Sequence, residues 1–400
     1  MEKSKLIPIV TKDLIISKFD EENYYTHQTI FDYRLKISNK SYELLQLADG
    51  KNNLEDIKNA INDCDINIEF LEDFYFQNFA KYGIIENQDI VVEQIGKPDY
   101  LKLSFILFPA KIVNLITPFL KFLFVSKTMY FVLFFSLFFL TFTTFKYYHI
   151  FLNYNLYQVN WLYFGLLGFI SVTFHEFGHA SSANYFGAKH GGIGGGFYLF
   201  SPVYFADVSD IWKLSRYKRI IVNLSGVYFE SLISCLYISL GFFTTNEMFI
   251  VIGVFTFFHS LWNLNPFLRN DGYWVLSDAI NYPNLTKNSL ILLKDFVFSI
   301  FKKTNFQYSP KNILLVIYSL INQSFIFIFL YYSIKNYGLS LLTFPFDFFI
   351  YIKDIICAKT IFNLRAILNY FIPFLFYYIL INYSKSLVLN LLKSKKSIPK

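Results

Sequence analysis

The chain has 400 residues, of which 54% are hydrophobic, 21% are aromatic and only 16% are charged. Soluble domains carry about 25% charged residues, so the composition excludes an ordinary soluble protein. The net charge of +7 does not indicate nucleic-acid binding, because the basic residues lie beside apolar segments and in the tail Lys393–Lys396, where they orient membrane proteins. Cys64, Cys235 and Cys357 are too far apart to indicate disulfides or a cysteine metal site.

Residues 1–97 are polar and contain no segment of membrane-spanning length. The start has no signal-peptide core, so we expect this domain in the cytosol. Asn52 and Glu55 are spaced as a capping pair at the start of a helix. The predicted elements are strands at Leu14–Lys18 and Tyr33–Ile37, helices at Ser41–Leu47, Asn52–Ile61 and Ile68–Tyr82, and closing strands at Ile84–Ile85 and Ile90–Val92. They describe a small α+β, winged-helix-like domain.

Within this domain the run YELLQLADGKNNLEDIKNAI, residues 42–61, resembles the PqqD-type domains that recognise precursors of ribosomally made, modified peptides. The resemblance implies that a leader peptide adds a strand to the sheet edge and packs on the third helix, about Asn67–Tyr82. The alternative is a winged helix that only docks on the membrane domain. Nucleic acid is not an expected partner, because the third helix carries Glu69, Glu72 and Asp73 where phosphates require basic residues.

Residues 98–400 form the predicted transmembrane domain. Its apolar spans lie at about 128–146, 160–183, 220–243, 248–268, 313–334 and 366–384. The segment Leu339–Cys357 is also apolar but contains Pro345 and Asp347, so the sequence leaves open whether it crosses. The expected fold class is mainly α: a polytopic bundle of about six spans with the small N-terminal domain.

The distribution of Lys and Arg predicts the orientation of these spans. Five basic residues lie between the second and third spans and six follow the fourth, whereas the loop at 244–247 has none. Since basic loops stay in the cytosol, the second and fourth spans end at the cytosolic face. We therefore expect a multi-pass protein of the cell membrane with its site toward the cytosol.

The second span contains His175-Glu176-Phe177-Gly178-His179. Two histidines four residues apart lie on one helix face, as zinc requires, and the glutamate can take a proton from a metal-activated water. A catalytic zinc usually takes three protein ligands. Asp271, 92 residues after His179, is the best third candidate, because Pro266 ends a helix and Gly272 allows the chain to turn back.

The sequence from Asn263 to Gly272, NLNPFLRNDG, resembles the second motif of site-2 proteases, NxxPxPxLDG. These intramembrane zinc metalloproteases pair it with HExxH, and the similarity covers about 160–280. It implies that His175, His179 and Asp271 bind Zn²⁺, that Glu176 is the general base, and that Asn263 positions the substrate or stabilises the oxyanion. Leu268 and Asn270 depart from the motif. Asn265 stands at a position for which the motif specifies no residue, and it could be a turn residue.

The segment NLNPFLRNDGYWVLSD also resembles peptide zinc metalloproteases of bacterial peptide-maturation systems. The resulting hypothesis is a zinc metalloendopeptidase that cleaves a ribosomally made, modified peptide or bacteriocin precursor. Expected partners are a peptide or membrane-protein substrate, the lipid bilayer, and a peptide-modifying enzyme or exporter. The alternatives are a regulatory site-2-type protease that releases a membrane-tethered factor, and a non-catalytic export or immunity protein.

Three further polar residues have more than one interpretation. Glu230, inside the third span, could be a fourth ligand, a proton relay or a polar contact within the bundle. His259 could face the site or be an interior histidine with satisfied hydrogen bonds, and His190 is more typical of a loop than of a ligand. The glycines from Gly191 to Gly196 lack the Lys-Ser/Thr of a phosphate loop but would permit a hairpin.

Overall fold

The computed structural model describes residues 3–19, 21–61, 66–86, 90–92, 102–153, 160–198, 201–302, 306–357, 369–381 and 384. The chain divides into two compact units, one of residues 1–198 and 202–282, the other of residues 199–201 and 283–400. The described chain is mainly helical with a small sheet domain, as the sequence predicts. The domain boundary at residue 97 stays a prediction.

The N-terminal sheet consists of β1 (Leu14–Lys18), β2 (Asn23–Gln28) and β3 (Tyr33–Ser38), antiparallel and in that order. The predictions of β1 and β3 are confirmed, but the central strand β2 was not predicted. Its buried residues are Tyr25, Thr26 and Gln28, so it lacks the apolar alternation by which strands are recognised.

Three helices pack on this sheet, at the predicted places: α1 (Asn39–Leu47), α2 (Leu54–Ile61) and α3 (Ile68–Glu72). The chain after α3 continues through a π-helical turn, Asp73–Phe79, and a 3₁₀ turn, Ala80–Tyr82. Their buried side chains form one apolar core, which includes Leu44, Leu54, Ile57, Leu71 and Tyr75.

Two local predictions in this region need correction. The cap of α2 is Asn53, whose side-chain oxygen accepts from the backbone N–H groups of Glu55 and Asp56. Asn52, the predicted cap, instead donates to the Leu47 carbonyl. The predicted closing strands reduce to one bridge between Val10 and Ile85, and Ile90–Val92 lies outside regular structure.

A second sheet joins two distant parts of the chain. Its strands are β4 (Lys102–Phe108), β5 (Ile193–Tyr198) and β6 (Ser201–Ala206), in that order, with β4 antiparallel to β5. The glycine-rich segment therefore provides strand β5 rather than an anion-binding loop.

Seven helices follow in the described part of this unit: α4 (Ala110–Leu120), α5 (Ser126–Lys146), α6 (Tyr148–Asn153), α7 (Trp161–Tyr185), α8 (Arg216–Thr244), α9 (Glu247–Asn263) and α10 (Asp271–Ala279). Of these, α5, α7, α8 and α9 coincide with predicted apolar spans, whereas α4, α6 and α10 were not predicted. Asn160 caps α7 and Asn246 caps α9 with their side-chain oxygens. Helix α8 lies between α7 and α9 and packs on both.

The second unit contains α11 (Leu285–Lys302), α12 (Pro310–Ile356) and an apolar helix at Phe371–Ile381. Helix α12 bends at Gly338, where φ is 22°. The segment that the sequence left undecided, Leu339–Cys357, is thus helical through Ile356.

Among the described residues, α5, α8 and α12 are long and apolar enough to cross a membrane. Helix α9 and Phe371–Ile381 are apolar but shorter. Helix α7 has the required length, but its C-terminal half carries the histidines, the glutamate and several hydroxyl residues. The prediction of six spans therefore stays a prediction.

The N-terminal core offers a test of one buried hydrogen bond. The Tyr75 hydroxyl, with the residue 0% exposed, donates to the Leu44 carbonyl at 2.5 Å. That carbonyl is among the last four of α1, which have no donor within the helix. We expect Tyr75→Phe to destabilise the full-length protein by about 1–3 kcal/mol, measured by thermal unfolding in detergent. Tyr308→Phe, on a residue 69% exposed, should leave the stability unchanged.

Candidate metal centre

Helix α7 presents His175, Glu176 and His179 to the interior of the helical bundle. All three are buried. One helical turn separates the two histidines, so both imidazoles lie on the face that packs against α8. Ionisable side chains are costly in such an apolar setting and are normally retained for a function.

His175 Nε2, His179 Nε2 and the Asp271 carboxylate form a triangle of ligand groups, in which the two histidines approach different oxygens of the carboxylate. The two Nε2 atoms are 3.1 Å apart, His175 Nε2 lies 3.0 Å from Asp271 Oδ2, and His179 Nε2 lies 3.4 Å from Asp271 Oδ1. Ligand atoms about 2.0–2.1 Å from a tetrahedral zinc are about 3.3 Å from one another. These three residues could therefore hold a metal ion.

The state of Asp271 supports the same conclusion. Burial alone would raise the pKa of Asp271, but the two histidines outweigh it and hold that pKa below its ordinary value. Its Oδ2 atom is buried and makes no hydrogen bond of normal geometry, although His175 Nε2 is only 3.0 Å away. An ionised, buried oxygen without a donor is unfavourable, and a cation between the three groups would satisfy it.

The turn between α9 and α10 brings Asp271 to the histidines. Helix α9 ends at Asn263, three residues before Pro266. The Asn265 side chain accepts from the Phe267 N–H at 2.9 Å, so Asn265 is a turn residue, as its position outside the motif suggested. Gly272 is required for close approach, because a Cβ there would lie 2.0 Å from the Leu264 carbonyl oxygen.

Helix α8 forms the opposite wall of the site through Val222, Gly226 and Glu230, four residues apart on one face; we call this the orienting face. The Val222 carbonyl lies 2.8 Å from His179 Nδ1, and Glu230 Oε2 lies 3.1 Å from His175 Nδ1. A Cβ on Gly226 would lie 2.4 Å from His175 Nε2 and 2.5 Å from His179 Nε2. Only glycine, which has no side chain, leaves room at this position for the two imidazoles.

The other predicted residues lie at the edge of this arrangement. The Glu176 carboxylate lies near the backbone N–H of Ala206, at the end of β6. Asn263 Nδ2 donates to Glu230 Oε2 at 3.4 Å. Glu176 and Asn263 thus flank the triangle, and neither belongs to the group that could hold a metal.

The structure shows hydrogen-bond partners for the three polar residues whose roles the sequence left undecided. Glu230 accepts from histidine Nδ1 atoms and lies outside the metal group. His259 donates its Nδ1–H to Glu230 Oε1 at 2.7 Å. His190 is buried beside Thr117, with its Nε2 3.2 Å from the threonine hydroxyl, and is also outside the metal group.

A buried ion pair holds α10, and with it Asp271, against α8. Arg219 Nε donates to Asp278 Oδ1 at 2.6 Å, and Asn223 Nδ2 donates to Asp278 Oδ2 at 2.9 Å. The Arg219 guanidinium carbon also lies 4.6 Å from the Phe19 ring centre, so the N-terminal part of the chain contacts the same residue. Sequence reasoning missed Arg219 and Gly226, because both roles arise from helix packing that residue spacing does not show.

We expect Gly226→Ala to abolish stoichiometric zinc binding without unfolding the protein. The added methyl group meets the ends of the two imidazole side chains, which can move away and thereby lose their ligand geometry. Zinc content of the purified protein, with circular dichroism as a check on folding, measures this. Gly168→Ala is the matched control, because a Cβ at Gly168 meets nothing within 4 Å.

Removing Arg219 should weaken both the fold and the site. Arg219→Met leaves the Asp278 carboxylate buried and unpaired, which costs about 3–5 kcal/mol, and loosens the helix that carries Asp271. We expect a lower unfolding temperature and a weaker zinc affinity. Lys218→Met, on the exposed neighbouring residue, should change neither. Equal zinc affinity in both variants would show that the ion pair does not position Asp271.

The chain is similar to a curated protein of Bacillus subtilis (strain 168) named "Putative peptide zinc metalloprotease protein YydH", with 29% identity over 119 residues. The match covers 29% of this chain and 47% of that protein, so the chain spans about half the length of the relative. No family model matches the chain, and no solved structure matches it. The similarity suggests a zinc metalloprotease and supports no finer assignment.

Proposed function

We propose that the protein is an intramembrane zinc metalloendopeptidase of the site-2 type. The observation that carries the proposal is the triangle of His175, His179 and Asp271, whose edges fit a tetrahedral zinc, with Glu176 next to it on α7. In this proposal the three residues bind Zn²⁺. The name of the Bacillus relative, which describes a peptide zinc metalloprotease, supports the reaction class.

Each residue of the site has a distinct chemical task in the proposed reaction. A bound zinc ion would polarise the scissile carbonyl and activate a water molecule. The Glu176 carboxylate accepts a proton from the attacking water and delivers it to the leaving amine. The Ala206 N–H, which lies near Glu176, would orient that carboxylate. Asn263 has one amide N–H directed at Glu230, and the other would stabilise the scissile carbonyl oxygen.

We propose that the substrate is the precursor of a ribosomally synthesised modified peptide or bacteriocin. The site is buried in the bundle, so a peptide must reach it in an extended form. Residues 1–97, in the PqqD-like role that their resemblance implies, would bind the leader peptide and raise its local concentration near the site. A peptide-modifying enzyme or exporter would act on the same precursor.

The proposed location is the cell membrane, with several spans and with the N-terminal domain and the site toward the cytosol. The three helices of spanning length support a membrane location. The basic loops that follow α7 and α9 support the orientation, because such loops remain in the cytosol. A cytosolic site suits a substrate that is made on cytosolic ribosomes.

Glu176→Gln tests the proposed general base. We expect the variant to keep stoichiometric zinc but to cleave peptides at least about 100-fold more slowly, since general base catalysis contributes about 10²–10⁴-fold. The measurement uses the purified full-length protein and a defined peptide library, with new peptide termini identified by mass spectrometry.

The control is Glu247→Gln, the same change on an exposed glutamate at the start of α9, which should cleave at the wild-type rate. Wild-type cleavage by the Glu176→Gln variant would overturn the proposed mechanism. A wild-type protein that binds no zinc would overturn the proposed function altogether.

A further inference from the structure

Glu230 is a buried carboxylate that the proposed reaction does not use. It lies in the middle of α8 and is 1% exposed. A charge in such a place is tolerated only when it is paired and hydrogen-bonded. Both of its oxygens have partners: His175 Nδ1 at 3.1 Å, Asn263 Nδ2 at 3.4 Å, and His259 Nδ1 at 2.7 Å. Residues from α7 and α9 thus converge on one side chain of α8.

The contact with His175 has a consequence for metal binding. The Nε2 atom of His175 belongs to the candidate metal triangle, whereas its Nδ1 atom lies on the other side of the ring, toward Glu230. A histidine can offer a lone pair from Nε2 only if its proton is on Nδ1. A carboxylate that accepts the Nδ1–H fixes this tautomer and the direction of the ring, and makes Nε2 a stronger ligand.

The two histidines receive unequal support from the orienting face of α8. His179 donates its Nδ1–H to the neutral Val222 carbonyl, whereas His175 donates to a carboxylate. The Val222 carbonyl is backbone, so no substitution removes it directly. Glu230 is a side chain, so its contribution can be removed while the helix remains.

We propose that Glu230 is a positioning residue of the metal centre, which aligns His175 and is itself aligned by His259 and Asn263. The proposal rests on the proposed zinc site, but not on the reaction that the site performs. His259 acts only through Glu230, because its Nδ1–H donates to the oxygen that His175 does not use. Asn263 likewise has a structural partner in Glu230, independent of any substrate.

Zinc affinity of the purified full-length protein, measured by competition with a chelating dye, tests this role. Loss of an outer carboxylate typically weakens metal binding by about 10–100-fold, so we expect a loss in this range for Glu230→Ala. Glu230→Gln should lose less zinc affinity than Glu230→Ala, because the Gln amide oxygen can still accept a hydrogen bond from His175. His259→Phe should weaken affinity modestly. Ser231→Ala, on the adjacent buried residue, is the control and should match the wild type.

A second readout separates positioning from general stability. With Co²⁺ at saturation, we expect Glu230→Gln to shift the visible absorption bands of the ion, because a neutral amide oxygen accepts more weakly than a carboxylate and makes His175 Nε2 a weaker ligand, while Ser231→Ala leaves the bands unchanged. If Glu230→Ala does not fold, the Glu230→Gln variant decides the question. Wild-type zinc affinity together with an unshifted cobalt spectrum in Glu230→Gln would overturn the proposal.

The outcome is distinguishable from failure of the protease function. If the Glu230 variants lose zinc affinity while the wild type binds zinc but cleaves no peptide, the positioning role stands and the peptidase proposal fails. If the wild type cleaves peptides and the Glu230 variants bind zinc normally, the positioning role fails alone. A wild type without zinc affinity overturns both.

Discussion

The close approach of α7 and α8 is the constraint on which the site depends. A Cβ on Gly178 would lie 2.4 Å from the Ser225 carbonyl oxygen, and a Cβ on Gly226 would meet both imidazoles. Small residues at helix crossings allow backbones in a membrane to approach closely. Here the approach also brings the Val222 carbonyl and the Glu230 carboxylate within hydrogen-bond distance of the histidines. The same contact packs the bundle and directs the ligand atoms toward Asp271.

The sequence is informative about the metal triangle because two of its members lie on one helical face. His175 and His179 are four residues apart, and this spacing alone predicts their proximity. The prediction of Asp271 as the third ligand required two further observations, the charge bias of the loops and the helix break at Pro266. Gly226 carries no such signal, because its role depends on how α8 is rotated against α7. The partners of Glu230 depend on the same rotation, so the sequence left its role open.

In the fold, too, local sequence patterns predict some elements and miss others. Apolar periodicity located α1, α2 and α3 and the strands β1 and β3, but not β2, whose buried residues are Tyr25, Thr26 and Gln28. The shift of the α2 cap from Asn52 to Asn53 reflects two adjacent asparagines, either of which can cap a helix. Strand β4 was also missed, because its pairing with β5 joins segments about 90 residues apart in the chain, a separation at which local patterns carry no information.

The polar cluster at the centre of the bundle leads us to expect that metal binding stabilises the folded protein. Asp271 Oδ2 has no hydrogen-bond partner within the protein, and the two Nε2 atoms face each other at 3.1 Å, a contact that neutral imidazoles with Nδ1 protons cannot satisfy. A metal ion would turn these unfavourable contacts into bonds, and binding to the folded state alone stabilises that state. The outer contacts of Glu230 and Arg219 are already complete without the ion. The protein itself therefore supplies the complete set of hydrogen bonds around the innermost three residues, whose positions fit a metal ion.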